Sequence, residues 1–458
     1  MSIFSSLSRQ QKEAVGLLQI GTFLEYFDLM LYVHMAVLLN ELFFPKTDPH
    51  TAALLTALAF CSTFVLRPIG ALIFGYIGDN IGRKTTVIIT TMMMSISCVI
   101  MANLPTYAEI GIMAAWVVTI CRIIQGMSSM GEIIGCQVYV TEITKPPVQY
   151  PAVSFIGVAS SFGAVAALGI ASLVTTSGLN WRIAFWIGAA IAVVGSVARL
   201  KLRETPEFID MKRKLLKDLD KKTLSGREKE IKSNAISQYI ARCKQEKINK
   251  TTLAACFLIY GGWPLSFYLA YMYFNPTLRD TYGYSAEDII FHNFILSIIL
   301  LISNTIWGGL SYRVHPLKIL KEKAKVFTVL ALFLPFIILG ASSHYHIFVL
   351  QVLLLVVSLC ANPADAILIK NVPVFKRFTT TSFMYAASRA FIYIFTSFGL
   401  VYLTEFFGHW GLWSIVLPMT IGFLWSINHF ENLENQKQHQ VHTPHPLSIK
   451  LDELKMAG

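Results

Sequence analysis

The sequence has few charged residues for its length. Only 14% of its 458 residues are Asp, Glu, Lys or Arg, whereas soluble domains average about 25%. Hydrophobic residues make up 54% of the chain, and the mean hydropathy is +0.56. This composition excludes an ordinary soluble protein. Because the apolar residues form long runs separated by short polar joints, the sequence predicts an all-α membrane protein.

The sequence also lacks paired cysteines. None of its seven cysteines belongs to a C-x-x-C motif, and six lie inside apolar runs, so they predict neither a disulfide nor a metal site. There is no metal-ligand helix motif and no nucleophile-plus-base pair, and we expect no enzyme and no cofactor. The polar start, 1–12, leads into an apolar stretch too long for a signal peptide, which predicts an uncleaved first helix.

Twelve apolar runs are long enough to span a membrane. They fall near 14–43, 51–78, 85–104, 108–142, 149–175, 181–201, 251–275, 286–310, 324–340, 345–370, 379–405 and 409–428. A long polar segment divides them into two sets of six, as in an internally repeated transporter. We therefore predict an N-terminal bundle over 1–203, a cytoplasmic linker over 204–249, a C-terminal bundle over 250–428 and a cytoplasmic tail over 429–458.

The net charge of +11 raises the possibility of nucleic-acid binding. However, the Lys and Arg residues collect in the joints on one side of the predicted bundle, above all in the linker. That distribution is the positive-inside pattern, which places both termini in the cytoplasm. The predicted partners are thus the lipid bilayer and a small solute, without nucleic acid, and we expect a monomer.

Two carboxyls lie on one face of the first predicted helix. Gly21, Glu25, Asp28 and Tyr32 follow one another at helical spacing, and Glu25 lies roughly 17 Å along the helix. Ionisable groups at this depth are costly and are mostly functional. A carboxyl held there can exchange a proton near neutral pH. The alternative is a fixed ion pair that only joins helices.

Arg67 in the second helix is expected at a similar depth. A guanidinium there suits a substrate carboxylate, which it can grip with two hydrogen bonds. It could equally serve only to neutralise Glu25 or Asp28, and the sequence leaves both interpretations open.

Further polar residues follow one face of three other helices. A polar stripe runs along the fourth helix and indicates a face turned away from lipid. The eleventh helix places Arg389 at mid-depth, and Tyr271 ends an aromatic stripe in the seventh, although such stripes more often pack than bind. The polar stripe of the fourth helix comprises Arg122, Gln125, Ser129, Glu132, Cys136 and Tyr139.

The segment from Gly75 to Lys84 reads Gly-Tyr-Ile-Gly-Asp-Asn-Ile-Gly-Arg-Lys and resembles the G-x-x-x-D-x-x-G-R-K/R signature of the major facilitator superfamily. Its expected gating residues are Gly75, Asp79, Gly82, Arg83 and Lys84. The run Arg122-Ile-Ile-Gln125-Gly is similar to the superfamily's second signature, which is associated with proton coupling. The resemblance implies the major facilitator fold.

Within that superfamily, 20–210 resembles the metabolite:proton symporters, which include proline/betaine, 2-oxoglutarate, shikimate and citrate transporters. The resembling segments include Leu24–Asp28, Leu66–Ala71 and Glu204–Pro206. The second half departs from the pattern, because 309–313 lacks the aspartate of the signature and Lys370 stands where relatives carry an acid.

The resemblance implies a secondary transporter in the bacterial inner membrane that takes up a small organic solute with protons by alternating access. We expect Glu25, Asp28, Glu132 and Arg122 to be the proton-coupling residues. Substrate binding is expected at Arg67, Arg122, Gln125, Tyr271 and Arg389. Equal numbers of mid-depth arginines and carboxyls allow an anion or a zwitterion, with organic acids slightly favoured over proline- or betaine-type osmolytes. The alternatives are an exporter or antiporter, and a sensor that binds solute without moving it.

Overall fold

The chain is α-helical in the computed structural model, which describes residues 6–44, 64, 66–176, 180–199, 204–205, 209 and 248–442. Within these ranges there is no strand. The first part of the second predicted span, most of the predicted linker and the end of the tail lie outside the described residues.

Every predicted span contains a helix in the described part of the chain. The helices are α1 (Arg9–Phe43), α2 (Arg67–Asn80), α3 (Arg83–Asn103), α4 (Ile112–Ile143), α5 (Gln149–Thr176), α6 (Arg182–Arg199), α7 (Lys250–Phe267), α8 (Ala286–Leu310), α9 (Pro316–Leu339), α10 (His344–Val356), α11 (Val374–Ile394) and α12 (Trp413–His442). Seven described stretches are long and apolar enough to cross a membrane on length and composition alone. The predicted all-α membrane fold is confirmed.

Short helical pieces connect or continue the long helices. They are Tyr107–Ile110, Tyr268–Met272, Asn275–Asp280, Asn362–Ala364, Asp365–Lys370, Phe395–Gly399, Leu400–Phe407 and Gly408–Leu412. Two of them, Tyr268–Met272 and Phe395–Gly399, are π-helical, a form that often marks functional positions in a helix. The tenth span is not continuous, because the helix stops at Val356 and resumes at Asn362.

Helix boundaries differ from the predicted ones where charged turns continue a helix. Helix α9 begins at Pro316 rather than near 324, since proline suits the first helical position and the lysines that follow lower the hydropathy without breaking the helix. Helix α12 runs to His442, whereas the prediction ended it at 428. Polar contacts hold this extension, including the ion pair between Lys321 and Glu431 at 2.5 Å.

The two sets of six helices meet through α2 against α11 and α5 against α8. Glycine permits the close approach of α2 to α11. A Cβ on Gly75 would lie 2.5 Å from the Thr379 backbone, and one on Gly78 would lie 2.4 Å from the Phe378 ring. Small residues allow membrane helices to pack this tightly. A cavity lies between the two halves, next to this contact.

Candidate functional site

The cavity between the two halves encloses about 1080 Å³ of empty space, including the part open to solvent. Side chains from both halves line it, and the described ones include no Asp or Glu. Its polar lining residues are Tyr26, Arg67, Gln137, Ser160, Ser161, Tyr271, Asn293, Ser297, Asn304, Asn362, Tyr385, Arg389 and Tyr393. Such a mixture of aromatic walls and a few converging polar groups is typical of a small-molecule site.

Two arginines project into this central cavity, one from each half. Arg67 is 1% exposed and stacks on the Phe64 ring at 4.6 Å, while Arg389 is 7% exposed and stacks on Tyr385 at 4.0 Å. The Nε and Nη2 atoms of Arg67 and the Nε atom of Arg389 have no hydrogen-bond partner among the described residues. Unused guanidinium donors at a buried site favour an anionic ligand.

Aromatic residues of α7 and α11 form one wall of the cavity. Tyr271 lines it and its hydroxyl lies 3.2 Å from Ser297 Oγ, as the sequence predicts for a residue at the site. Its ring packs on Phe267 at 5.0 Å. Behind the wall, Tyr260 packs edge-on against Tyr385 at 5.4 Å. The aromatic stripe therefore serves both as packing and as the cavity surface.

The first-half carboxyls lie in a different place. Glu25 and Glu132 line a separate small cavity of about 250 Å³ between α1, α3 and α4. Glu132 accepts a hydrogen bond from Thr91 Oγ1 at 2.8 Å, and its other neighbours there include Thr90 and Ser128. We call this the side cavity. It brings two predicted proton-coupling residues together, away from the two arginines of the central cavity.

Asp28, Arg122 and Gln125 form a third group. Asp28 is close enough to Arg122 for a direct charge interaction and hydrogen-bonds to the thiol of Cys98. Arg122 donates to Gln125 Oε1 at 3.0 Å. The structure thus does not bring Arg122 and Gln125, two predicted substrate ligands, to the lining of the central cavity. Asp28 thus interacts with Arg122, whereas Arg67 lines the central cavity.

The predicted gating segment forms a dense polar network against α11. The carboxylate of Asp79 accepts hydrogen bonds from the backbone N–H groups of Phe378 at 3.1 Å and Thr379 at 2.8 Å, and from the Thr379 hydroxyl at 2.8 Å. It also pairs with Arg83 at 3.0 Å. The carboxylate of Asp79 therefore joins the end of α2 to the second turn of α11, across the two halves. We call the side of the bundle that carries this network the signature side.

Arg83 extends the network across the halves, because its Nη2 donates to the backbone carbonyl of Val374 at 2.7 Å. Gly82 has a φ of 153° and faces Glu204, whose carboxylate accepts from the backbone N–H groups of Arg83 and Lys84. Lys84 contributes its backbone N–H to this network at the start of α3.

Sequence reasoning missed Glu142 in this network. Its carboxylate pairs with Arg83 at 3.2 Å and with Arg377 of the second half at 3.0 Å, and it accepts from Thr205 at 2.7 Å. Glu142 lies at the last residue of the predicted fourth span, and the polar stripe identified on that helix ended before it, at Tyr139.

The structure also gives a partner to Asp365, which the sequence left unplaced. Asp365 is 2% exposed, and its Oδ2 accepts a hydrogen bond at 2.8 Å from Nε2 of Gln137, a residue of the opposite half that lines the central cavity. Nothing in the local sequence pointed to this contact, since it depends on the interruption of the tenth span.

Comparison with known proteins identifies others that share this architecture. The family model for sugar (and other) transporters matches residues 16–363. The proton:xylose symporter XylE is similar in structure, with a TM-score of 0.73 at 14% identity over 92% of this chain and 95% of that one. The human organic anion transporter MFSD10 aligns with a TM-score of 0.65 at 15% identity over 92% and 100%. These likenesses show the major facilitator fold.

Relatives in sequence match part of the chain. The proline/betaine transporter of Salmonella typhimurium is 32% identical over 204 residues, which are 43% of this chain and 41% of that protein. The inner membrane metabolite transport protein YhjE of Escherichia coli is 34% identical over 213 residues, or 45% and 48%. The matched region thus spans less than half the length of these relatives. The chain belongs to the sugar (and other) transporter family of the major facilitator superfamily.

Proposed function

We propose that the chain is a secondary active transporter that takes up a small organic anion together with protons. The observation that carries the proposal is the central cavity, which holds Arg67 and Arg389 but no Asp or Glu among its described lining residues. A positive cavity in a low-dielectric surrounding binds an anion more readily than a neutral or cationic solute.

The substrate class follows from the donors that the cavity leaves unused. Arginine from α2 and arginine from α11 each retain donors without partners among the described residues, and a carboxylate can accept two of them at once. An anion with two carboxylates would engage Arg67 and Arg389 together and would bridge the two halves. Bridging ligands favour alternating access, because the halves then move around one bound solute.

A zwitterion of the proline or betaine type is the second candidate. The relative from Salmonella typhimurium is named a proline/betaine transporter, and rings such as Trp263, Phe267 and Tyr271 line the cavity. Aromatic faces attract quaternary ammonium groups. The described lining of the cavity has no carboxylate for the positive charge of such a solute, which is why we place organic acids first.

We propose that the first-half carboxyls carry transported protons. Glu25 and Glu132 share the side cavity with hydroxyl groups of Thr90 and Thr91, and Asp28 with Arg122 lies nearby in the same half. Two carboxyls that share a small cavity hold a proton between them more readily than isolated ones. Replacing either Glu25 or Glu132 with glutamine should abolish accumulation driven by a pH gradient and preserve solute exchange in proteoliposomes.

We further propose that the signature side faces the cytoplasm of a bacterium. The joints on that side include Arg83, Lys84, Lys145 and Arg313, and positive joints remain inside during membrane insertion. The same argument puts both termini and the polar segment at 204–249 in the cytoplasm. As part of this proposal, we retain the predicted division into an N-terminal bundle at 1–203 and a C-terminal bundle at 250–428.

The test is a counterflow panel in proteoliposomes with succinate, citrate, proline and glycine betaine at two pH values. We expect exchange of at least one of the two carboxylates, faster at the lower pH. Exchange of proline or betaine alone would replace the organic-acid assignment with the second candidate. An absence of any exchange, with binding retained, would support a sensor, and accumulation in the opposite direction to an imposed proton gradient would support an antiporter.

Arginine variants connect the activity to the cavity. Arg67→Ala and Arg389→Ala should each reduce uptake by roughly 30- to 100-fold, since a hydrogen bond to a charged group contributes about 2 to 3 kcal/mol. The matched control is Arg279→Ala, because Arg279 is exposed and forms an ion pair with its neighbour Asp280. Wild-type uptake in either cavity variant would remove that arginine from the site.

A further inference from the structure

A buried carboxyl lies directly behind the central cavity, in the second half of the chain. Asp365 begins the short helix Asp365–Lys370, immediately after the interruption of the tenth span. Its side chain is almost fully buried and has one hydrogen bond, which Gln137 Nε2 donates to Oδ2 at 2.8 Å. The second oxygen, Oδ1, has no hydrogen-bond partner among the described residues. An ionised carboxylate usually accepts several hydrogen bonds, so this one is poorly satisfied.

The groups that face Asp365 come from three directions. Helix α11 contributes Arg389, α7 contributes Tyr260, and the preceding segment contributes Cys360. The contact from α4 is the neutral amide of Gln137. Arg389 is the cation that acts directly on this carboxylate, and it supplies the attraction that offsets its burial. The buried Lys323 of α9 acts on the neighbouring Cys360.

Arg389 also lines the central cavity, where it has an unused donor. The same guanidinium thus faces the proposed substrate on one side and Asp365 on the other. An anion bound in the cavity would neutralise Arg389, and the attraction of Arg389 for ionised Asp365 would fall. A buried carboxylate that loses its counter-charge binds a proton more tightly.

We propose that Asp365 takes up a proton when an organic anion binds at Arg389, so that anion and proton are loaded together. The inference rests on the proposed function and adds a proton site in the second half to the carboxyls of the side cavity. The proton from water adds to Oδ1 and turns the carboxylate into a carboxylic acid; on release of the anion the same O–H bond breaks and the proton returns to water. The link is a reciprocal coupling between two ligands of one protein.

The contact with Gln137 gives this protonation a structural consequence. Gln137 belongs to the first half and Asp365 to the second, and their hydrogen bond joins the halves on the signature side of the cavity. A hydrogen bond to a carboxylate is roughly twice as strong as one to a neutral acceptor. Protonation of Asp365 therefore weakens a contact that holds the signature side closed, at the moment when substrate is bound.

The experiment compares the purified full-length protein with its Asp365→Asn variant in a weakly buffered detergent solution. Succinate and citrate are the probes, anion binding is measured by calorimetry, and proton uptake is measured with a pH-indicator dye. The variant keeps an oxygen that accepts from Gln137 and cannot titrate. The matched control is Asp280→Asn, which removes an exposed carboxyl that pairs with Arg279.

We expect the Asp365→Asn variant to bind the anion and to take up about one proton fewer per anion than the wild type. In the wild type, the affinity for the anion should change about tenfold per pH unit, as linkage requires for one coupled proton. The Asp365→Asn variant should lose this pH dependence. The Asp280→Asn variant should match the wild type in both readouts.

Two results would overturn the inference, and they differ. An unchanged proton count in Asp365→Asn, with anion binding retained, would reject the proton site at Asp365 and leave the proposed function standing. No binding of either anion to the folded wild-type protein would reject the organic-anion function, and the inference with it. A variant that fails to fold is replaced by Arg389→Gln, which should bind the anion weakly and take up no extra proton with it.

Discussion

The segments that connect α2 to α3 and α8 to α9 hold corresponding places in the two halves, yet they contact the opposite half by different means. The first uses charge: Asp79 and Arg83 are 3% and 0% exposed and contact α11 through several polar bonds. The second has an exposed Arg313 and no buried ion pair in the residues that the structure describes. Its contact with α5 consists of the His315 ring against Tyr150 at 6.0 Å and the close approach of Gly308 to Ser154.

This difference follows from one missing residue type. The segment 309–313 has no aspartate, so it cannot accept hydrogen bonds from backbone N–H groups of the facing helix as Asp79 does. We call the contacts of Asp79 and Arg83 with α11 the latch. Its hydrogen bonds involve charged groups and are about twice as strong as neutral ones, whereas an edge-on ring contact contributes only about 0.5 to 1.5 kcal/mol. The closed signature side should therefore depend on the α2–α3 segment far more than on the α8–α9 segment.

The largest expected effect comes from Asp79→Ala. It leaves Arg83 buried beside one fewer carboxylate and removes the acceptor of two backbone N–H groups of α11. Loss of one partner of a buried ion pair costs roughly 3 to 5 kcal/mol, which shifts the balance between closed and open signature sides by about 100-fold or more. The measurement is the labelling rate of Thr381→Cys by an impermeant maleimide, because Thr381 is buried in α11 behind the latch.

The control for this prediction is Arg313→Ala in the corresponding segment. It should change neither the labelling rate nor uptake by more than about twofold, since exposed charges contribute little. Equal effects of Asp79→Ala and Arg313→Ala would break the comparison between the two segments.

A smaller effect is expected from Gly75→Ala. The added Cβ would lie 2.5 Å from the Cα of Thr379, so α2 and α11 must separate, and overpacking of this kind typically costs about 1 to 3 kcal/mol. Uptake should fall by roughly 5- to 30-fold. Gly16→Ala is the matched control, since a Cβ there meets nothing within 4 Å. Similar uptake in the two alanine variants would show that the α2–α11 contact is not needed in its close form.

The smallest effect is expected from Tyr150→Leu in the α8–α9 contact. Leucine keeps the apolar packing and loses one edge-on ring contact with His315, which is a contribution of about 0.5 to 1.5 kcal/mol. We expect labelling of Thr381→Cys to rise by no more than about tenfold. A rise as large as that of Asp79→Ala would mean that the ring contact is an equal second latch, and the proposed asymmetry would then be wrong.

Much of the fold could be predicted from the chain. Apolar runs of about 20 residues marked every span, and the prediction for α8 at 286–310 agrees with Ala286–Leu310. The errors in helix bounds occurred where a helix continues through polar residues. The lysine-rich turns at the start of α9 and the charged turns at the end of α12 are helical without being apolar. A hydropathy reading cannot detect such turns, because side-chain contacts from other helices stabilise them.

The residues of the candidate site could be predicted from the sequence more readily than which of them lie together. The ionisable residues inside the spans were visible in the sequence, since charge at bilayer depth is costly. Which carboxyl faces which arginine depends on helix rotation and on contacts between distant segments. Arg67 could not be assigned between substrate and carboxyl from the sequence. In the structure Asp28 interacts with Arg122, and the Nε and Nη2 atoms of Arg67 have no hydrogen-bond partner among the described residues.

The sequence by itself determined that this protein is a helical membrane protein in two sets of six spans, because bilayer burial requires long apolar runs and no tertiary contact can replace them. It also indicated that charged residues inside the spans, such as Glu25 and Arg67, are buried. Only the tertiary structure decided that Glu25 and Glu132 lie apart from Arg67 and Arg389, and that Asp365 contacts Gln137 across the halves. These arrangements depend on helix packing and on a break in the tenth span, which local sequence patterns do not encode.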